Sequence, residues 1–543
     1  MPAATATGAT GAVRLNERCF LKPGVKLEPL ICGWYAWSYM IPPAQHALNL
    51  ANRHIPLLQS FAKNASAHVA AQLDPAMFGG PFVDLPATRV NEVEQLLQRT
   101  MAHCATRLRL ARDLKEIDRL LQDNANGYSM SEFYARIPDS LQGLIEFVYD
   151  LNSHPRLRIQ EELIYDEYQN EENEAILLSL IPDERRPFFM STPRLPSAQD
   201  LLLQVPFSNP VVDTLASLRT RPAPLAELVR ELGIRDDERA VFESFLTTTI
   251  PERQDAAYLG NAVRVRYFGH ACVLVQTAQV SILIDPMLAW DDGHSDGRYI
   301  FNNLPDHLDY VVLSHNHQDH CAPEMLLQLR HRVGQIVVPR NNAGSLADPS
   351  MKLALRHLGF KRIHQLGAFE EIPIPDGMIT SLPFPGEHVD LDIHSRHGIH
   401  LNLKGRRLAF LVDSDGRDPH LFRRIARKMD RRLDALFIGM ECHGAPLSWL
   451  YGPLLTAAIS RRNDESRRLS GLDSQRAWNV IQEFHASNVF VYAMGQEPWL
   501  RYIMGLEYTP ESIQLREVAS LLQRCELQGI KAQHLLIRAE FEF

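Results

Sequence analysis

Hydrophobic patterning divides the chain into two textures that meet near residue 255. From about residue 14 to 250, apolar positions recur mostly at threes and fours. Over residues 90–121, for example, Val93, Leu96, Leu97, Met101, Leu108, Leu110, Leu114 and Ile117 form a helical stripe. Prolines 187, 193, 196, 206 and 210 then interrupt the pattern, and residues 224–249 predict two short helices around Gly233. That pair resembles a helix-turn-helix unit, a hairpin whose ordinary role is packing. From Ala262 the pattern changes to short β-branched runs: residues 263–268, 273–275 and 280–284, stopped by Asp285-Pro286. Further strands are predicted at 310–313, 335–338, 379–382, 399–403, 408–412, 433–439 and 488–492, with helical stretches between several of them. Two sheets covered by helices is the architecture this implies. The charged stretch Glu252-Arg-Gln-Asp255 marks the expected boundary, giving domains at 14–255 and 256–543 behind a disordered leader at 1–13.

Composition narrows the function classes. The 543 residues carry 56 Lys and Arg against 65 Asp and Glu, a formal charge of −9, so the phosphate attraction on which most nucleic-acid binders rely is missing. A nuclease or DNA-binding role is therefore not expected. No stretch approaches the ~18 apolar residues of a membrane span. The nearest, residues 30–41, is short and bracketed by Pro29 and Pro42. A leader without a basic start or long apolar core is no secretion signal, so the expected compartment is the cytoplasm. Seven scattered cysteines with no Cys-x-x-Cys pair read as free buried thiols.

The most specific chemistry lies at the end of the strand Tyr310-Val-Val-Leu-Ser, which runs straight into His315-Asn-His317-Gln-Asp319-His320. A strand end delivers His315 and His317 on one side at a spacing of two, while Asp319 and His320, once the chain turns, aim at a neighbouring point. Two pairs of ligands imply two metals. Imidazole with carboxylate suits zinc, iron or manganese, and two ions ~3.5–4 Å apart can share one oxygen species.

His315-x-His317-x-Asp319-His320, with Tyr267-Phe-Gly-His270 and Ile284-Asp-Pro286 before it, resembles the metallo-β-lactamase superfamily over residues 260–543. The resemblance implies an αββα sandwich with a dinuclear site on its rim, completed by a third ligand to the first metal, a bridging aspartate and a final histidine. In hydrolytic members that third ligand is normally a histidine in a Pro-Gly-His-like turn. Here the sequence is Pro385-Gly386-Glu387-His388, so Glu387 or His388 can bind. The bridging carboxylate is expected at Asp413, closing the strand at 408–412, with Asp415 the alternative. Where hydrolases place the final histidine, this chain has Ala493-Met-Gly-Gln-Glu497, and the nearest substitute is His443 in Met440-Glu-Cys-His-Gly444.

A carboxylate-rich site matches iron better than a zinc hydrolase. Together with the large N-terminal region, the aromatic opening Leu30-Ile-Cys-Gly-Trp-Tyr-Ala-Trp-Ser-Tyr-Met40 and the segment Gly444-Ala-Pro-Leu-Ser-Trp-Leu-Tyr-Gly-Pro453, it resembles the diiron β-hydroxylases of non-ribosomal peptide assembly. That resemblance implies an α/β fold class: a C-terminal αββα metallo-β-lactamase sandwich preceded by a mainly helical α+β domain that serves dimerisation and carrier-protein docking. It implies two Fe ions, one held by His315, His317 and Glu387 and the other by Asp319, His320 and His443, with Asp413 bridging and Glu387 and Asp413 as the catalytic carboxylates. The implied reaction uses O2 to hydroxylate the β-carbon of an aminoacyl thioester on a carrier protein of a non-ribosomal peptide synthetase. Electrons come from a reductase or ferredoxin, since Gly-x-Gly-x-x-Gly does not occur. A homodimer is also implied. Two basic clusters, Arg423, Arg424, Arg427, Lys428, Arg431 and Arg432, and Arg461, Arg462, Arg467 and Arg468, are candidate carrier-docking faces. The competing reading is a zinc or manganese hydrolase of the same fold, cleaving a lactone, phosphodiester or thioester, which needs His388 as its ligand.

Overall fold

The computed structural model describes residues 17–169, 171–180, 184–253, 257–291, 297–386, 388–429, 432–505 and 507–543. The leader and Glu387 therefore lie outside the described residues, as does Arg431.

The second half is the expected sandwich. One seven-stranded mixed sheet runs Ile363–Leu366, Val333–Pro339, Leu308–Val312, Ser281–Ile284, Val273–Gln276, Arg264–Tyr267 and Ala539–Glu542 in spatial order. The other runs Glu371–Ile374, Gly377–Leu382, Gly398–Leu403, Arg406–Phe410, Ala435–Gly439, Asn488–Tyr492 and Lys531–His534. Side-chain alternation along each strand sorts residues between layers. Val273, Val275, Tyr310, Val312, Leu408 and Phe410 meet between the sheets. Ala409 and Leu411 face the other way, against the helices Pro419–Lys428, Ser474–Phe484 and Ile513–Leu527.

The first 250 residues form more sheet than their periodicity suggested. Val25–Ile31 pairs antiparallel with Glu174–Leu180, which pairs with Leu201–Gln204, and Ile145–Tyr149 and Pro155–Ile159 make a hairpin. The long predicted helix is two, Val90–His103 and Ala105–Asn124, broken at Cys104. The first of them buries Val93, Leu96 and Thr100 and leaves Met101 exposed instead of in the core. The expected short helices form at Leu225–Glu231 and Arg239–Ser244, with Gly233 at φ +63 between them. They bury Leu225, Leu228 and Phe242, and the strands flanking the pair both pair with Arg18–Leu21. All seven cysteines are free, five of them buried.

The two halves share one hydrophobic core. Trp34, Tyr35, Trp37 and Tyr39 pack in the same cluster as Leu274, Leu283, Val311 and Ile336, the outward-facing residues of the first sheet. A buried charge network crosses the same seam. Arg186 donates to Glu28 at 2.7 Å and to Glu324 at 2.9 Å, Arg194 donates to Glu28 at 3.0 Å, and Tyr35 and Tyr502 donate to Glu324 at 2.7 and 3.0 Å. Burial alone would raise the Glu28 carboxyl, but Arg194 and Arg186 overrule it and bring it down to about 2. Glu28 therefore stays ionised in the folded protein while an unfolded Glu, near ~4.3, takes up a proton. Its stabilisation is complete above that unfolded value and is lost as the pH falls towards 2. Thermal melts between pH 6 and pH 3 should show a stability loss that shrinks in Glu28→Gln. At neutral pH that variant should be less stable by roughly 3 kcal/mol, because buried Arg194 loses its charged partner and Arg186 loses one of its two.

Candidate metal centre

Seven consecutive polar residues, Ser314 to His320, are all buried at the end of the strand Leu308–Val312. Asp285, fully buried at the end of the adjacent parallel strand and held at φ +39, makes this possible. It accepts from the Ser314 backbone N–H at 2.7 Å and the Ser314 hydroxyl at 2.5 Å, and pairs with His320 Nδ1 at 3.0 Å. With Nδ1 committed to Asp285, His320 aims Nε2 at Asp413 Oδ2, 3.0 Å away, and Asp319 Oδ2, 3.4 Å away. Asp413 Oδ2 also lies 3.5 Å from His315 Nε2, so one carboxylate oxygen stands between the two histidine groups. Gly439 leaves room for it, since a Cβ there would meet Asp413 Oδ1 at 3.0 Å and the Val412 carbonyl at 2.3 Å. Asp415, the alternative, is instead paired with Arg417 at 3.1 Å.

Among the described residues, three groups bring their ligand atoms within 4.8 Å of one another: His315, His317 and His388; His270, Asp319 and His320; and His315, His320 and Asp413. His388 is buried, its ring stacked on His317 with centroids 4.7 Å apart. Glu387, expected as the ligand from this turn, is its undescribed neighbour. His443 does not join the cluster. It follows the strand Ala435–Gly439 into an exposed turn, where its carbonyl accepts from Gln514 at 2.7 Å. The residue from that strand end that reaches the site is Glu441, two positions earlier, beside His317, Gln318 and Asp319. Burial first, then Asp413 and Asp319, push its carboxyl up to about 8 against a hydrogen bond from Tyr508.

His270, in the Tyr267-Phe-Gly-His270 motif, also reaches the site, a place its sequence position alone does not assign. Its Nε2 lies 3.1 Å from Asp319 Oδ2, and its ring is 5.0 Å from that of His320. Glu497, from the segment lacking the expected histidine, holds this turn by accepting from the His270 backbone N–H at 2.7 Å and the Tyr267 hydroxyl at 2.5 Å. The turn needs left-handed backbone at Gly269 (φ +103) and His270 (φ +50), and a Cβ on Gly269 would strike the Trp499 ring at 2.5 Å. The only advance signal was Gly-His directly after a strand.

These donors fit a metal pair. His315 Nε2 and His320 Nε2 are buried with no hydrogen-bond partner, a state that buried polar atoms rarely tolerate. Burial, then the neighbouring imidazoles His320, His317 and His388, holds His315 well below the usual histidine range, and burial pushes His317 down to about 4. Both are thus neutral, as metal ligands must be. Burial would lower His320 too, but Asp319 and Asp413 carry it well above its usual range, an excess of negative charge that a dication would balance. Tyr451 completes the support, its hydroxyl 2.9 Å from His317 Nε2 and its ring 5.9 Å from Tyr39.

Residues 20–250 match the diiron non-heme beta-hydroxylase N-terminal domain, and residues 264–373 match a beta-lactamase superfamily domain. Over 532 residues the chain is 30% identical to the Streptomyces venezuelae 4-amino-L-phenylalanyl-[CmlP-peptidyl-carrier-protein] 3-hydroxylase, covering 96% of this chain and 99% of that one. The chain belongs to the diiron non-heme β-hydroxylase family. The crystal structure of CmlA, a diiron β-hydroxylase from the same organism, superposes with a TM-score of 0.91 at 30% identity, over 97% of this chain and 100% of that one. A UPF0173 metal-dependent hydrolase of Listeria monocytogenes is 26% identical over 133 residues, 23% of this chain and 55% of that protein. The β-hydroxylase likeness spans both halves. Family membership makes this chain a non-haem diiron monooxygenase, with iron and O2 as its cofactor and co-substrate.

His270→Ala should lower bound metal from two ions per chain towards one, measured by elemental analysis of iron-loaded protein. His443→Ala should leave it at two.

Proposed function

We propose that this β-hydroxylase acts on the β-carbon of an aminoacyl group held as a thioester on a peptidyl carrier protein, in antibiotic-type non-ribosomal peptide synthesis. The observation that carries this reading is the full-length likeness to a carrier-protein 3-hydroxylase, combined with a buried cluster whose donors suit two irons. Asp413 is the shared carboxylate. His315 and His317, with Glu387 from the 385–388 turn, serve one ion, and Asp319, His320 and His270 serve the other. Bound iron supplies the activation of dioxygen that C–H hydroxylation needs. The chain's own contribution is positional: Asp285 fixes the His320 ring, Glu497 fixes the His270 turn, and Tyr451 fixes His317. A cavity of about 50 Å³ beside His317 and Asp319 is closed by Ala445, Trp449, Leu469 and Met504, apolar walls that keep bulk water from the reacting carbon.

The electrons come from a separate reductase or ferredoxin, and the working form is a cytoplasmic homodimer organised by the N-terminal half. No helix among the described residues is long and apolar enough to cross a membrane. Much of the basic surface that is a candidate for carrier docking is engaged locally. Arg423 pairs with Glu483, Lys428 lies over the Phe369 ring, and Arg467 and Arg468 donate to the carbonyls of Val389 and Gly444. Arg424, Arg427, Arg461 and Arg462 remain exposed.

Iron-loaded enzyme given reductant, O2 and an aminoacyl-loaded carrier should add one oxygen atom to the carrier-bound amino acid, read by intact-protein mass spectrometry with matching O2 uptake. Release of free amino acid without O2 consumption would establish thioester hydrolysis instead. Glu387→Ala should lose iron and hydroxylation together, whereas His388→Ala should keep most of its iron. The reverse pattern would make His388 the ligand and favour the zinc or manganese hydrolase.

A further inference from the structure

On the far side of Trp449 from the metal lies a second, larger space. This groove of about 680 Å³ runs between the two halves of the chain and is bordered by Arg53, Leu57, Pro81, Phe188 and Met190 together with Trp449 itself. Such a volume lies within the range of ligand clefts, whereas the metal-side cavity alone is too small for an aminoacyl group. The partition between them is thin. Gly79 borders the groove and Gly505 borders the metal cavity, and they stand back to back. A Cβ on Gly79 would lie 2.9 Å from the Gly505 carbonyl oxygen, and one on Gly505 would lie 3.1 Å from the Gly79 Cα. Both have left-handed backbone, at φ +78 and +63. The Trp449 indole N–H donates to the Gly79 carbonyl at 3.1 Å, so one ring and one hydrogen bond latch two residues without side chains.

The groove also contains an uncompensated cation. Arg53 donates to the Trp449 carbonyl at 2.5 Å, the Met190 sulfur at 3.1 Å and Asn49 Oδ1 at 3.4 Å, all neutral acceptors. Among the described residues no carboxylate pairs with it, and burial pushes its guanidinium down to about 10. A half-buried charge without a counter-ion is costly unless a ligand supplies one. The backbone is shaped to put it there. Pro56 has no N–H for the Asn52 carbonyl, and the helix widens into a π turn at Leu50–His54, with the Ile55 N–H reaching back to the Leu50 carbonyl. From that turn Arg53 reaches Trp449 and Asn52 donates to the Pro453 carbonyl at 2.7 Å, so the widened turn is docked against the segment carrying the partition.

We propose that this groove receives the 4′-phosphopantetheine arm of the carrier-bound substrate, with Arg53 pairing its phosphodiester and Trp449 with the Gly79–Gly505 seam forming the gate through which the thioester reaches the metal centre. The inference rests on the carrier-thioester reading above. The arm's chemistry matches the lining: one phosphate for the one unpaired guanidinium, and a dimethyl-bearing chain for Leu57, Pro81 and Phe188.

The test titrates the iron-loaded full chain with S-acetyl-4′-phosphopantetheine and S-acetylpantetheine, which differ only in the phosphate, by calorimetry and tryptophan fluorescence. The wild type should bind the phosphorylated probe about tenfold more tightly. Arg53→Gln should abolish that preference, Arg53→Lys should restore part of it, and both variants should keep two irons. Equal binding of the two probes by the wild type, or a preference that survives Arg53→Gln, overturns the inference. If the enzyme fails to transfer oxygen to carrier-bound thioesters while the probe preference holds, the function above falls and an arm-binding groove stands. If oxygen transfer succeeds without the preference, only the groove assignment falls.

Discussion

Asp285 is the interaction on which the rest of the site depends. A run of three histidines and an aspartate cannot be buried at a strand end unless something orders its backbone and selects which ring nitrogen faces inward. Asp285 does both, taking the Ser314 N–H and hydroxyl with its two oxygens and His320 Nδ1 with one of them. In metal sites of this kind a carboxylate on one imidazole nitrogen directs the other at the ion. Its position follows from topology. Ser281–Ile284 and Leu308–Val312 are parallel neighbours in one sheet, so their ends emerge side by side. The other sheet delivers Asp413 from the end of its own strand, and the sandwich brings both rims together.

The N-terminal half is part of the same construction. Its aromatic opening fills the outer face of the first sheet, and the Ser38 hydroxyl donates to the Asn316 carbonyl at 2.7 Å, inside the histidine loop. The Glu28–Arg186–Glu324 network crosses the seam with every side chain buried. Such a network adds less net stability than its Coulomb energy suggests, because desolvation offsets most of it, but it penalises any misalignment of the halves. That registration matters because the groove behind the metal cavity, and the partition between the two, are built from both. Gly79 and Phe188 come from one half, and Trp449 and Gly505 from the other.

What was legible in the sequence is what local patterning encodes. The strand running into His315-x-His317-x-Asp319-His320 stood out as a run of donors, and Asp413, expected from the superfamily resemblance with Asp415 as its alternative, lies beside His315 and His320. The likeness to diiron β-hydroxylases, which rested on those residues and on two aromatic segments, is now supported over the whole chain. The missing information is long-range. His270 gains its place from Glu497, whose carboxylate caps the turn from 227 positions away. The expectation at His443 failed because a strand end fixes direction only for the residues nearest it. Glu441 is still aimed inward, whereas His443 has already turned to solvent. Helical periodicity in the first half likewise hid strands such as Val25–Ile31, where the polar Lys26 and Glu28 are as buried as the apolar positions.

The central claim is that one carboxylate, Asp413, joins two ions held by histidine groups from opposite sides of the site, with His270 completing the second. Anomalous diffraction at the iron edge from crystals of iron-loaded protein tests it most directly. The account predicts two iron peaks of similar height flanking Asp413, one against His315 and His317 and the other within bonding distance of Asp319, His320 and His270. A single peak, or a second ion coordinated by His443 with His270 left unligated, would contradict it.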